Sequence, residues 1–349
     1  MINEIKIHNF KCFEHLELAG CRRVNVLVGD NGSGKTALLE ALFWTLSSNP
    51  QMVFRYRQQR GLDGSFNGTP QQIEQAIWRE YFFEHDWKRT IAIELMGNGP
   101  ESRSLRIVRG HPQTSMPLMR GTDEAEFAAV QITMVWRDFQ GNEHFGSFRF
   151  KDGQAKFEGG EEDLPDFFYY PANQTVSSIE NAGRFSELSR VRRAAEFAQV
   201  FRSEYEWIED ISIEVVAGAP AIYAALRGRN EKLPLPSVSG GINRIISVLL
   251  ALASRARSIV LVDEIENGIY YRHHKSMWGS LLKFARSYEG QLFVTTHNDE
   301  WLQSLVEAAG SDIDDIALWR MERDKNNRPI VRQFSGEQVA AGIRAGGVR

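Results

Sequence analysis

The sequence predicts an α/β protein with a mixed or parallel core sheet, an antiparallel β subdomain and a helical subdomain. Three observations predict it. The octapeptide Gly29-Asp30-Asn31-Gly32-Ser33-Gly34-Lys35-Thr36 fits G-x-x-x-x-G-K-[ST], between an apolar run, Val24–Val28, and a helix-like run, Ala37–Phe43. A second apolar run from Ser258 to Val262 ends in Asp263-Glu264, as a buried parallel strand does when it delivers its last residues to the carboxyl edge of a sheet. Between them, Arg89–Leu95, Ser104–Val108, Ala128–Trp136 and Phe145–Phe150 read as strands separated by turn signals.

The octapeptide is a phosphate-binding P-loop. Its glycines let successive N–H groups point at one anion, and the helix that follows adds its dipole. Lys35 is placed to reach the β- and γ-phosphates, and the Thr36 hydroxyl to hold Mg²⁺. Residues 51–90 are polar and aromatic, with Gly61, Gly64, Gly68 and Pro70 marking a loop. Arg55, Arg57 and Arg60 lie there beside Phe54 and Tyr56, so the loop either is a solvated surface or touches nucleic acid by phosphate contact and stacking.

Phe167–Tyr170 reads as a strand stopped by Pro171. The chain then turns helical over roughly 178–210, with Phe185, Leu188, Val191, Phe197, Val200 and Phe201 near helical spacing, a core stripe. Arg184, Arg190, Arg192 and Arg193 on the same stretch are a charged helix face or a second nucleic-acid or partner patch.

Val238-Ser239-Gly240-Gly241-Ile242 precedes an apolar helix, Ile245–Leu252. Ser239 is a natural N-cap and the two glycines leave the helix start bare, a second anion site. A second phosphate-facing helix end beside a complete P-loop suggests a ligand shared between two subunits. Asp263 is placed for Mg²⁺, directly or through water, and Glu264 to orient or deprotonate an attacking water. Gln291–Thr296 is β-rich and ends in His297, which at a strand tip can hydrogen-bond a γ-phosphate or that water. Asn298-Asp299-Glu300 starts another helix. Ile316–Met321 and Pro329–Phe334 close the chain as a hairpin around Asp324–Asn327. His273 and His274 lack metal-ligand spacing, so no zinc site is assigned.

The 349 residues suffice for one large domain or two modest ones, and 42% hydrophobic with 25% charged residues is ordinary soluble composition. A formal charge of −4 excludes a globally basic nucleic-acid binder but not a local patch. Two cysteines, Cys12 and Cys21, fit a reducing cytoplasm rather than a secreted disulfide framework, though a bond between them is open. No leader pattern and no bilayer-length apolar run is present, so a cytoplasmic protein without its own membrane segment is expected.

The order of these motifs resembles the ATP-binding-cassette (ABC) ATPases: P-loop, signature helix, acidic strand, switch histidine. It is most similar to the non-transporter branch of RecF, SMC-type proteins and OLD-family ATPases. Ile5–Phe13, with Asn9-Phe10-Lys11 and a second aromatic, is similar to that branch's opening strand. Asp263-Glu264-Ile265-Glu266-Asn267-Gly268-Ile269 is similar to the D-E-x-E-N-G-[L/I] stretch of the OLD-like group. Glu337-Gln338-Val339 to Gly342-Ile343-Arg344 is similar to that group's ending. The resemblance covers residues 1–50 and 235–349, and the middle matches only in layout. Val238 and Ile242 stand where the commonest signature has Leu and Gln. An ATPase core without the TOPRIM nuclease domain of OLD proteins is expected, and the sequence shows no heptad arm of SMC type.

The resemblance implies a P-loop NTPase of the ABC-ATPase type over 1–349. Within it lie an N-terminal lobe with the P-loop (1–96), an antiparallel β insert (97–165), a Q-loop-like junction with a helical subdomain (166–235), and a C-terminal lobe with signature, Walker B strand and switch histidine (236–349). It implies ATP and Mg²⁺, with Lys35, Glu264 and His297 catalytic. Asn31 to Thr36 and Ser239 to Gly241 would bind nucleotide, and Thr36, Asp263 and Gln174 the metal. Gln174 matches the glutamine that this family places at the strand-to-helix junction against Mg²⁺ and water; a plain loop amide is the alternative. It further implies a homodimer with composite ATP sites, switched by hydrolysis, in DNA metabolism or phage defence, with a separate effector such as a nuclease; DNA or RNA contact is open. An ATPase subunit of a membrane transporter is the alternative. A small-molecule P-loop kinase would not need the Ser239 signature.

Overall fold

The structure, a computed structural model, describes residues 1–62, 66–97, 99, 102–110, 131–151, 154–160, 165–173 and 176–344. The chain forms two compact units, one of Met1–Cys21, Asn31–Pro165 and Met321–Ile330, the other of Arg22–Asp30, Asp166–Arg320 and Val331–Arg349. The division falls inside the P-loop, between Asp30 and Asn31.

In the first unit, β1 (Ile2–Phe10) and β2 (Phe13–Ala19) form an antiparallel pair with Ile5, Ile7, Leu16 and Leu18 buried. The chain leaves for β3 (Val24–Gly29) of the other unit and returns as the helix Lys35–Ser47. That helix is apolar nearly all round, with Leu38, Leu39, Leu42 and Trp44 fully buried, as an interior helix must be. β4 (Ile91–Gly97), β5 (Ser102–Arg109), β6 (Gln131–Arg137), β7 (Glu143–Lys151) and β8 (Gln154–Gly159) complete an antiparallel sheet in the order β2-β1-β4-β5-β6-β7-β8. β5 to β8 therefore extend the sheet begun by β1, β2 and β4. Of the strand expected over 128–136, residues 128–130 lie outside the described residues.

The stretch 51–90, expected as a loop, contains the helices Met52–Gln59 and Pro70–Trp78. Thr69 and Gln72 make a full capping box with Pro70 at the first helical position, a signal that the glycines of the region masked. Two of the arginines offered there for nucleic acid are used internally. Arg57 is 9% exposed, donates to the Ala76 carbonyl at 3.1 Å and pairs with Glu80 at 3.3 Å. Arg60 pairs with Glu40, a fully buried carboxylate of the helix Lys35–Ser47 that also receives Lys11 Nζ and the Tyr56 hydroxyl. Burial pulls the Lys11 ammonium below its ordinary value, and Glu40 opposes that pull.

In the second unit, β9 (Phe167–Tyr170) leads to the helices Ser178–Arg190 and Ala194–Glu204, which bury Phe185, Leu188, Phe197 and Phe201, whereas Val191 is exposed between them. Arg184 stacks over Phe168 and donates to the Tyr170 hydroxyl at 2.7 Å, so it belongs to the packing of this unit. A small antiparallel sheet follows: β10 (Ile208–Val216), β11 (Ala219–Leu226) and β12 (Leu233–Pro234). None of its strands was read from the sequence, and the helical stretch expected to about 210 ends at Glu204; in β10 a register shift between Ile208 and Asp210 breaks the period of two.

The main sheet has the order β16-β15-β3-β14-β13-β9, with β13 (Ile259–Val262), β14 (Gln291–Thr295), β15 (Ile316–Arg323) and β16 (Pro329–Ser335). β9, β13, β14 and β3 run parallel. Every residue of β13 and β14 is buried, as in a parallel sheet covered on both faces. The helix Gly240–Ser254, buried from Gly241 to Ala253, packs in the same core.

Candidate functional site

Because β3, β13 and β14 are parallel, their carboxyl ends share one edge of the second unit's sheet. The P-loop's Gly29 and Asp30, the carboxylates Asp263 and Glu264, and His297 all leave from that edge. Thr295, the last residue of β14, ties it together. Its hydroxyl donates to Asp263 Oδ1 at 2.6 Å and accepts the Glu264 N–H at 2.7 Å. Glu264 has φ 52°, a left-handed backbone that costs a non-glycine residue on the order of 1–3 kcal/mol. The Thr295 bond and Asn267, whose Nδ2 donates to Glu264 Oε2 at 2.8 Å, hold it there. Arg244 lies beneath, 8% exposed, donating to the carbonyls of Asp263 and of Pro171. Burial lowers its pKa, and the carboxylates of Asp263, Glu264 and Glu266 oppose that shift.

The rest of the P-loop belongs to the first unit. The helix Lys35–Ser47 starts with no side-chain cap and no acidic residue in its first turn, so its leading N–H groups and dipole are open to an anion. Gly34 precedes it at φ 108°, and a Cβ there would lie 3.0 Å from Phe13 Cζ and 3.1 Å from Cys12 Sγ. Ser33 Oγ is buried without a hydrogen-bond partner, a donor that a phosphate oxygen would satisfy. Arg323, the last residue of β15, donates through Nε to the Gly32 carbonyl at 3.0 Å. A trans peptide points its N–H opposite to its C=O, so this bond also fixes the direction of the Ser33 N–H.

Ser239 caps the helix Gly240–Ser254 as expected, accepting the Ile242 N–H at 3.3 Å. Gly241 has a second duty. A Cβ there would sit 1.9 Å from the Gly268 carbonyl oxygen, so backbone lies directly on backbone. The helix start is thereby locked to the turn that follows the acidic strand. Gly241→Ala is expected to displace that turn and cost ~1–3 kcal/mol of stability, as overpacking does. Gly240→Ala, with nothing within 4 Å of its Cβ, is the stability control. Equal unfolding midpoints for the two variants would show that the contact is not tight.

Asp263, Glu264, His297 and Ser239 to Gly241 thus lie in the second unit, and Asn31 to Thr36 open the first. Gln174 lies outside the described residues. Sequence analysis gave no role to Thr295, Arg244, Asn267 or Arg323; Asn267, three residues beyond Glu264, and Thr295, two before His297, stood within its motif stretches. Thr36 and Asp263 are hard oxygen donors of the kind Mg²⁺ takes, with Asp263 7% exposed. Among the described residues no group of three or more His, Cys, Asp or Glu forms a metal cage, and Mg²⁺ carried on substrate phosphates needs none. Cys12 and Cys21 are free thiols. Among the described residues no helix is long and apolar enough to cross a membrane.

The family model of the RecF/RecN/SMC N terminal domain matches residues 1–313. The chain is 22% identical over 338 residues to an ATP/GTP phosphatase of Helicobacter pylori, covering 87% of each. It is 36% identical over 110 residues to the DNA replication and repair protein RecF of Thermomicrobium roseum, 30% of this chain and 26% of that one. Among solved structures, an SMC head bound to the C-winged helix domain of ScpA matches with TM-score 0.54 at 13% identity, over 97% of this chain and 99% of that one. The fold is therefore the α/β P-loop fold of SMC heads.

Proposed function

We propose a function from one premise: the chain belongs to the RecF/RecN/SMC N terminal domain family. It is an ABC-type ATPase of the RecF/SMC-like branch, and its reaction is ATP hydrolysis. In our reading Asn31 to Thr36 receive the β- and γ-phosphates on backbone N–H groups, and Lys35 neutralises them. Thr36 and Asp263 would hold Mg²⁺, with Gln174 a third candidate. Bound Mg²⁺ supplies charge neutralisation on the phosphate oxygens. Glu264, oriented by Asn267, takes the proton of the attacking water. His297 faces the γ-phosphate or that water.

The observation that carries the composite-site reading is the Gly241–Gly268 contact. It fastens a second bare helix start to the turn that bears Glu264, so whatever occupies that helix start is felt at the acidic strand. We read the occupant as the γ-phosphate on another copy's P-loop. ATP then joins two chains head-to-tail about a two-fold axis, and hydrolysis releases them.

Ser239→Arg tests this. It places a bulky cation at the shared phosphate, and is expected to spare ATP binding while losing hydrolysis. Mixing it with Lys35→Ala leaves one intact composite site per heterodimer, and recovered activity would be strong support. Normal hydrolysis by Ser239→Arg alone would make a monomeric P-loop enzyme the better reading.

For the cellular role we favour a switch in DNA metabolism or phage defence with a separate effector such as a nuclease. The family and the RecF similarity support the first part, and the OLD-like Asp263–Ile269 stretch supports the second. Co-purification with a soluble effector or nucleic acid is the expected result; a membrane subunit in its place would favour a transporter ATPase.

A further inference from the structure

We infer that Glu266 is a positioning residue for hydrolysis, holding the His297 imidazole in the orientation that the reaction uses. The inference rests on the reading of His297 as the group facing the γ-phosphate or the water. Glu266 Oε1 accepts the His297 backbone N–H at 3.1 Å, and His297 Nδ1 lies 3.3 Å from the same oxygen. One oxygen thus hydrogen-bonds the backbone of His297 and lies at ion-pair distance from its ring. The two side chains differ sharply in exposure: Glu266 is 6% exposed and His297 54%.

An imidazole that open to water would exchange rotamers freely without a partner. The backbone on either side is already pinned. The Thr296 N–H donates to the Leu27 carbonyl at 3.0 Å, and Asn298 caps the helix Asp299–Ala309 by accepting the Trp301 N–H at 3.1 Å. What remains undetermined is the ring, and Glu266 determines it. A carboxylate beside Nδ1 favours the ring orientation that keeps this edge toward Glu266 and turns Nε2 away from it.

Stability does not account for Glu266. Its Oε2 is buried with no hydrogen-bond partner. The nearby guanidinium of Arg244 spends its bonds on the carbonyls of Asp263 and Pro171. A buried carboxylate so poorly compensated is a cost to the fold. The cost falls at the catalytic edge, on the turn whose Asn267 orients Glu264. One short turn therefore aims both the base and the histidine.

The test is a double-mutant cycle with steady-state kinetics, ATP affinity and thermal unfolding on each purified protein. Glu266→Ala is expected to lower kcat ~10–100-fold, the size seen when the partner orienting a functional histidine is lost, with KM for ATP nearly unchanged. Glu266→Gln keeps an acceptor oxygen and is expected to recover most of that loss, which a purely structural charge would not allow. In a His297→Ala background, Glu266→Ala should cost almost nothing further. A full additional loss there would overturn the inference, as would a Glu266→Gln protein that folds and binds ATP yet is as slow as Glu266→Ala. If His297→Ala alone hydrolyses ATP at the wild-type rate, the role assigned to His297 falls, and the inference with it. That result is distinct from additivity between two damaging changes.

Discussion

Glu264→Gln protein is expected to bind Mg²⁺–ATP and to stop there. The amide keeps the shape of the side chain and can still accept from Asn267 Nδ2, so the left-handed turn at Glu264 should persist. What it loses is the ability to take a proton from water, worth ~10²–10⁴-fold in rate for a positioned base. ATP binding then continues without the step that separates the subunits. The expected readout is a nucleotide-dependent dimer in size exclusion with light scattering, beside single-turnover hydrolysis slowed by that factor. A strictly monomeric Glu264→Gln protein at saturating Mg²⁺–ATP would remove the shared site from the account. Wild-type turnover would remove Glu264 as the base.

Lys35→Ala is expected to be the second large loss. Lys35 is 9% exposed at the first position of an uncapped helix, where its ammonium adds a full charge to the partial charges of the N–H groups. Losing one such preorganised cation should reduce hydrolysis ~10²–10³-fold and weaken ATP binding. The fold should survive, because the helix is anchored by Leu38, Leu42 and Trp44. Circular dichroism and an unfolding midpoint near wild type would confirm that, while isothermal titration reads the lost affinity. A Lys35→Ala protein that hydrolyses ATP at the wild-type rate would end the P-loop assignment.

What the sequence made legible is local chemistry. The P-loop, the strand ending in Asp263-Glu264 and the cap at Ser239 are each written within about eight consecutive residues. Periodicity found β4 to β7 and β9 because their alternation or apolar runs are unbroken; it did not find β8, β11 or β12, and it failed at β10, where the register shifts. The helices of 51–90 were missed because glycines and arginines there look like surface. Arg57 and Arg60 look so only until their carboxylate partners Glu80 and Glu40 are in place. The bonds that hold the candidate residues within each unit were illegible for a different reason. Thr295 meets Asp263 across 32 positions of sequence and Arg323 meets Gly32 across 291, pairings fixed by strand order rather than by motif. Thr295 carries no signal of its own, since a β-branched residue at the end of a buried strand is the common case.

The position of β3 in its sheet bears on how this chain is made. Its neighbours are β14 and β15, and it pairs with β14 from Val24 to Leu27. The P-loop strand thus leaves the ribosome well before either of its flanking strands. At ~5–20 residues per second, β14 follows by on the order of half a minute. Pairing of such distant segments carries a loop-closure cost that nothing local offsets. A nascent chain, or one cut short before Gln291, therefore displays the phosphate-binding sequence without the sheet that shapes it. On this reading ATP competence waits for β14, so chains cut short before Gln291 should neither bind nucleotide nor join a second subunit through it.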